Sequence, residues 1–438
     1  MRCLGYYSAM LSFLCRALRA ERHELPALGW AFAYFFTLLA GYYVLRPVRD
    51  EMGVQAGTAQ LPWLFTATFV TMLLLVPLYG WLCARLPRAR LLPAVYGFFA
   101  ANLLVFWAAL ESGVAAKALA PAFFVWVSVF NLFVVSVFWS FMADLFDAAQ
   151  AARLYGAIAA GGSCGAIAGP TITALAVAPL GTANLLLVSA AFLAAAIVCI
   201  AMLARWARRH PRAGESRAEE PIGGSVLAGA RAALSSPFLL GICGYLLCYT
   251  VLSTTLYFQQ VEIVGAEIAD APERTRLFAT LDLTVNALTL VMQVLVFARL
   301  GALIGVAWML ALMPLVSIAG FAWLGFAPGL GALIVFGVTR RVGEFAVSKP
   351  VREALYTAVP REERYKAKGF IDTVVYRGGD VSSGWLFGAL KGLGLGLAAI
   401  SFAVIPVALA WLALAFYLGN RMKRWTQAGG ARSAPSPA

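Results

Sequence analysis

The chain has 438 residues, of which 62% are hydrophobic and 13% charged, and its formal net charge is +13. A soluble domain of this length carries roughly a quarter charged residues to cover its surface, which excludes a soluble globular protein. The positive balance does not indicate nucleic acid, because its Lys and Arg gather in short turns between long apolar runs, the pattern of a topology signal.

Residues 1–24 precede the first long run and are read as a cytoplasmic segment with an interfacial helix, rather than as a cleaved signal peptide. Twelve spans follow: 25–46, 62–84, 91–110, 121–147, 154–178, 180–204, 237–261, 276–298, 302–324, 327–348, 367–390 and 393–420. Such runs are long enough to cross about 30 Å of hydrocarbon as helix. Backbone groups in lipid must be satisfied within the segment, and strand-type alternation is absent, so helices are expected and a barrel is not.

The first span ends in Tyr42-Tyr43-Val44-Leu45-Arg46-Pro47-Val48-Arg49-Asp50-Glu51. Pro47 is expected to break the helix there, leaving Arg46 and Arg49 near a broken end as an anion trap or as an ordinary charged boundary. Arg85, Arg88 and Arg90 mark a short basic turn. The fourth span ends in Asp144, Asp147 and Arg153, and Gly161, Gly165 and Gly169 follow at spacings of four, a face suited to close helix packing. Only Pro179-Leu180-Gly181 separates the fifth and sixth spans.

Residues 205–236 form the longest hydrophilic interruption. Beyond it, Tyr245, Tyr249, Ser253 and Tyr257 form a stripe that reads as packing. The loop Glu262–Glu273 is acidic, and the eighth span carries Asp282, Asn286, Thr289 and Gln293 on one face, as expected of a lining to a watery path. The tenth span ends in Arg340, Arg341 and Glu344, then Lys349, Arg352 and Glu353, read as a charged cytoplasmic turn. In the eleventh span Asp372, Arg377 and Asp380 share a side, and ionisable groups at this depth are functional candidates. Gly384, Gly388, Gly392 and Gly396 repeat the spacing of four, and residues 421–438 read as a disordered tail.

Several classes drop out. No loop has room for a soluble catalytic domain, so an enzyme is not expected, and no G-x-x-x-x-G-K-[ST] sequence supports a nucleotide-driven pump. The seven cysteines are scattered with no C-x-x-C spacing, and His23 and His210 sit in cytoplasmic loops far from any second ligand, so neither metal nor cofactor is expected. Short basic loops stay in the cytoplasm, which puts both termini there in a bacterial inner membrane. The chain then divides into six-helix halves at 25–204 and 237–420, an all-α integral membrane fold in the layout of the major facilitator architecture.

Three stretches resemble the ATP/ADP translocase family. Leu45-Arg46-Pro47-Val48-Arg49-Asp50 looks like that family's L-R-x-x-K-D. The run Phe138–Asp144 followed by Ala152–Gly156 looks like F-W-G-F-A-N and A-K-[KR]-F-Y. Lys349–Tyr356 with Tyr365–Asp372 looks like D-P-x-K-E-M-A-Y and K-x-K-G-K-A-A-I-D, and there order and spacing hold together. The resemblance implies exchange of a nucleoside triphosphate for a diphosphate, with Arg49, Lys366 and Lys368 on the phosphates. The sequence departs from the pattern at Ser128 and Ser253, where the family has glutamates, and at Lys349, where it has aspartate.

The function expected is therefore secondary transport of a small organic anion, a nucleotide or another phosphorylated compound, by a monomer in the lipid bilayer. Arg46, Arg49, Lys366, Lys368, Arg377 and Asn286 are the candidate substrate contacts, and Asp282, Asp372 and Asp380 the candidate coupling groups. Two other readings remain open: a proton-coupled facilitator for a neutral or cationic compound, and a membrane scaffold that transports nothing.

Overall fold

The computed structural model describes residues 21–85, 88–210, 231, 233–234, 236–359 and 367–432. Most of the N-terminal segment (1–20) and of the central loop (211–230), Lys366, and residues 433–438 lie outside them.

Regular structure in the described residues is entirely helical. The first four helices are α1 (Leu25–Ala56), α2 (Leu61–Arg85), α3 (Arg88–Glu111) and α4 (Ala116–Leu145). Ala148–Arg209 then runs as a 62-residue stretch broken at Gly181, whose φ of 77° belongs to the left-handed region. We treat its two parts as α5 (148–180) and α6 (182–209). Only glycine enters that region without steric cost, so one residue reverses the chain where Pro179-Leu180-Gly181 forms the thinnest separation between spans.

The series continues with α7 (Pro237–Glu267), α8 (Ala271–Leu295) and α9 (Phe297–Phe326). α10 runs through Leu330–Gly343, a π-helical turn at Glu344–Ser348 and a last stretch Lys349–Leu355. α11 is helical from residue 367, passes through a second π-helical turn at Ile371–Val375 and continues as Tyr376–Gly392. α12 comprises Leu397–Ala403 and Ile405–Arg432. It thus extends into the stretch expected to be a disordered tail. The loop at Gly394, φ 84°, interrupts the fourfold glycine spacing before Gly396.

Eight of the described helices are long and apolar enough to cross a membrane, with Ala149–Arg209 counted once. Dividing that helix at Gly181 and adding α2, α10 and α11 is consistent with the twelve expected spans in their order.

Pro47 does not break α1, which is continuous from Leu25 to Ala56. Proline removes one backbone donor, yet within a bundle the neighbouring helices hold the rod together. Arg46 and Arg49 are therefore mid-helix residues, and Asp50 and Glu51 beyond them are buried.

The chain forms two compact units that do not follow the sequence halves strictly. The first takes α1, α2 from Val70, α3 to α6, and Asp270–Leu283 at the start of α8. In it α1 lies against α5 at backbone contact: a side chain at Gly161, Gly165 or Gly169 would meet the carbonyl oxygens of Phe32, Phe36 and Ala40. From α6, Ser189 donates to the Gly41 carbonyl at 3.0 Å. On another side Phe35 stacks on Phe138 of α4 at 4.2 Å between centroids, and Tyr34 hydrogen-bonds Tyr96 of α3 at 2.5 Å.

The second unit takes Gly57–Phe69, α7, and the chain from Thr284 onward. Its core is aromatic: Tyr245 and Tyr249 of α7 pack on the fully buried Trp411 of α12. Phe258 of α7 meets both Phe387 of α11 and Phe65 of α2. Trp385 of α11 closes on the same end of α2, edge-on to Trp63 and donating to Thr66 at 3.1 Å.

At the start of α1 the buried Glu24 carboxylate accepts from the Glu21 amide at 2.8 Å, from Gln150 at 2.9 Å and from Arg153 at 3.0 Å. Asp147 caps the same end of α5 in a reciprocal box with Gln150. Burial alone would raise the Glu24 carboxyl, but the backbone and side-chain hydrogen bonds outweigh it and hold the group below its ordinary value. A carboxyl depressed in the folded state stabilises fully above its unfolded value and loses that contribution as pH falls through its folded one. The melting temperature of the purified protein should therefore drop on acidification from about pH 5 downward, and less steeply in Arg153→Gln.

Candidate functional site

Several charged groups of the described helices are arranged in pairs. In the first unit Arg46 meets Asp282 of α8 at 3.4 Å, and the buried Glu51 accepts from Arg274 of α8 at 2.8 Å. The two bridges have opposite polarity, an arginine of α1 on a carboxylate of α8 and then the reverse. Between them Arg49 grips Asp50, its own neighbour, at 2.6 Å and lies over the Phe124 ring of α4 at 5.1 Å. Arg46 also lies over Tyr43 at 5.8 Å.

The second unit holds a cluster that the sequence reading placed at a surface turn. Glu344 and Arg352 are not on a charged cytoplasmic turn: both are buried, and Arg352 donates to Glu344 at 3.1 Å. The π-helical turn at Glu344–Ser348 explains the pairing. Eight positions apart on a plain α-helix they would diverge by about 80°, and one extra residue in the turn brings them onto one face. The turn also leaves the Phe345 carbonyl to accept from Gln293 of α8 at 3.1 Å.

Arg340, one turn earlier, is also buried. Its guanidinium lies over the Tyr249 ring at 5.0 Å and reaches Ser253 Oγ at 3.4 Å and the Tyr249 carbonyl at 3.5 Å. Tyr245 donates to the Leu310 carbonyl at 3.1 Å and stands 3.3 Å from Ser348. The α7 stripe thus has a polar side as well as a packing one. The sequence did contain the signal: Arg340, Glu344, Ser348 and Arg352 are spaced by four, as are Tyr245, Tyr249 and Ser253.

Of the expected contacts in α11, Arg377 and Asp380 come together at 3.5 Å, and Asp380 accepts from Thr254 of α7 at 3.4 Å. Asp372 is exposed and joins neither. Lys368 pairs with Glu353 at 2.5 Å and lies 5.7 Å from the Tyr356 ring, while Lys366 is outside the described residues. Asn286 is half-buried one turn beyond Asp282. Ser128 donates to the Phe124 carbonyl in its own helix at 2.9 Å, and Ser253 receives Arg340.

The two histidines are not apart. His23 and His210 stack at 5.9 Å between ring centroids, and Trp206 donates to the His23 carbonyl at 3.1 Å. No group of three or more candidate metal ligands occurs among the described residues.

The sequence model described as the Major Facilitator Superfamily matches residues 27–379. In fold the chain is similar to a solved bacterial homologue of the iron transporter ferroportin in an inward-facing state. The TM-score is 0.64 at 14% identity, covering 92% of this chain and 98% of that one. It is also similar to the nucleoside transporter NupG, with TM-score 0.60, 14% identity and coverage of 91% and 98%. A third is a bacterial homologue of the human lysosomal transporter Spinster, inward-facing and unoccupied, with TM-score 0.58, 14% identity and coverage of 96% and 100%. At such identities the likeness is one of fold. No curated protein matches this sequence.

Proposed function

This chain belongs to the Major Facilitator Superfamily, and from that premise we propose that it is a secondary transporter of a small organic anion. It would act in a bacterial inner membrane with both termini in the cytoplasm, as the basic short loops favour. The observation that carries the anion reading is the balance of charge at membrane depth. In the first unit the arginines Arg46, Arg49 and Arg274 are matched by Asp50, Glu51 and Asp282. In the second, Arg352 pairs with Glu344 and Arg377 with Asp380, while the buried Arg340 is hydrogen-bonded to two neutral oxygens.

Coupling follows from the pairs themselves. An entering anion competes with Asp282 for Arg46, or with Asp380 for Arg377, and a proton taken up by the released carboxylate removes its claim on the arginine. Nucleotide exchange is the finer version. It draws on the resemblance of the first and third motifs to the ATP/ADP translocase family, with Arg49, Lys366 and Lys368 as phosphate contacts.

Uptake of labelled ATP, ADP, inorganic phosphate and dicarboxylates into proteoliposomes tests both versions. Accumulation of an anion, with loss of proton dependence in Asp282→Asn, supports the proposal. Transport of neutral or cationic solutes alone would overturn it, and uptake of non-nucleotide anions alone would remove only the nucleotide version.

A further inference from the structure

Arg340 is the exception among the buried arginines of the described residues: Arg274 and Arg352 each have a carboxylate of another residue within 3.1 Å. Arg340 is only 4% exposed, and its hydrogen bonds go to two neutral oxygens at 3.4 and 3.5 Å. Both lengths lie beyond the usual range for an N–H···O bond. Its Nε makes no hydrogen bond at all. Glu344 stands four residues on, the natural distance for an ion pair on one helix, but it is engaged with Arg352 instead.

Arginine cannot shed its proton to escape this position. A buried charge without a counter-ion is costly, and an aromatic face offsets only part of that. The surroundings are nonetheless a built site. Tyr249 forms one wall, with Tyr376 of α11 at 6.0 Å between ring centroids. Ser253, which takes the Nη1 hydrogen bond, and Tyr376 are both partly exposed, so the guanidinium lies beneath side chains that are not themselves buried. Arg352, also facing Tyr249 at 5.9 Å, adds positive potential from below, and Glu344 offsets it.

We infer that Arg340 anchors an oxyanion group, a carboxylate or a phosphate, of the transported solute, in a subsite walled by Tyr249, Ser253 and Tyr376. The fork of the guanidinium matches two oxygens of such a group, and the Tyr249 hydroxyphenyl face keeps the fork in plane with it. This deepens the anion-transport reading and rests on it. No part of it depends on the nucleotide version.

The test uses the full chain, purified in detergent, with melting temperature and intrinsic fluorescence titrated against inorganic phosphate, ADP and succinate. Adenosine serves as the uncharged control. The wild type should be stabilised by at least one anion and not by adenosine. Arg340→Lys, which keeps the charge but loses the fork, should bind that anion roughly tenfold more weakly, about one charge-assisted hydrogen bond. Arg340→Met should lose the ligand-dependent shift while melting no lower than wild type without ligand, since it removes an uncompensated buried charge. A wild type that responds to no anion overturns the transport reading and this inference with it. A wild type that responds, with Arg340→Lys and Arg340→Met binding as tightly, overturns the inference alone. An Arg340→Met that melts far below wild type, with Arg340→Lys binding normally, assigns Arg340 a structural role and also overturns it.

Discussion

Substituting leucine for Gly165 is expected to abolish the folded state of the N-terminal unit. The α1–α5 contact is made by backbone: side chains at Gly161, Gly165 and Gly169 would each strike a carbonyl of α1. A carbonyl on a helix has no rotamer through which to yield, and α1 cannot retreat because Ser189 on α6 and Phe138 on α4 hold it from other sides. Overpacking a core costs about 1–3 kcal/mol when neighbours can adjust, and here they cannot. Gly165→Ala should already lower the melting temperature, and Gly165→Leu should leave no monodisperse peak on size exclusion. Gly156, on the same helix, where an added Cβ would meet nothing within 4 Å, is the control. Gly156→Ala should be neutral or slightly stabilising, because it only restricts the unfolded chain.

The second large effect belongs to Glu344. Removing it leaves Arg352 charged, buried and unpaired beside Arg340, so two uncompensated guanidiniums would face Tyr249. Breaking a buried pair from one side costs about 3–5 kcal/mol, enough to deplete the folded protein. Replacing both partners, Glu344→Leu with Arg352→Met, should recover most of the loss, since a well-packed apolar pair is a fair substitute for a buried ion pair. A thermal-melt double-mutant cycle checks this. If the double variant is no better than Glu344→Ala, the pair is not the source of the effect.

Much of the fold could be read from the sequence because lipid imposes a simple rule. An apolar run of the right length has to be helix, and the chain offers such runs in order. Even the weakest boundary, at Pro179-Leu180-Gly181, corresponds to a real left-handed break. The errors came where a residue's meaning depends on what packs against it. Pro47 is a helix breaker in isolation, yet α1 passes through it because α5 and α6 clasp the helix just before it. Glu344 and Arg352 follow the end of an apolar run, and from the sequence such charges resemble a surface turn. Their burial arises from α7 and from a π-helical turn with no distinctive composition.

The site was legible in the same uneven way. Arg46, Asp282, Arg377 and Asp380 stand out as charges inside apolar runs, but nothing in the sequence says which of them meet. Arg46 and Asp282 are separated by most of the chain and lie 3.4 Å apart. Asp372 satisfied the spacing rule and is nevertheless exposed. Arg340 was visible as a charge inside a helix. Its lack of a carboxylate could be recognised only once every neighbour had a position.

The two π-helical turns have a consequence for how the chain tolerates changes in length. Each of α10 and α11 carries one residue more than its hydrogen-bond ladder needs, at Glu344–Ser348 and Ile371–Val375. Deleting Ala346 would let α10 close into an ordinary helix with the residues on either side still facing their partners. The same deletion at Val335 would turn everything beyond it by about 100° and carry Arg340, Glu344 and Arg352 together off the face they present to α7. One codon can be lost from the first place and not from the second, although both encode a small aliphatic residue in the same rod.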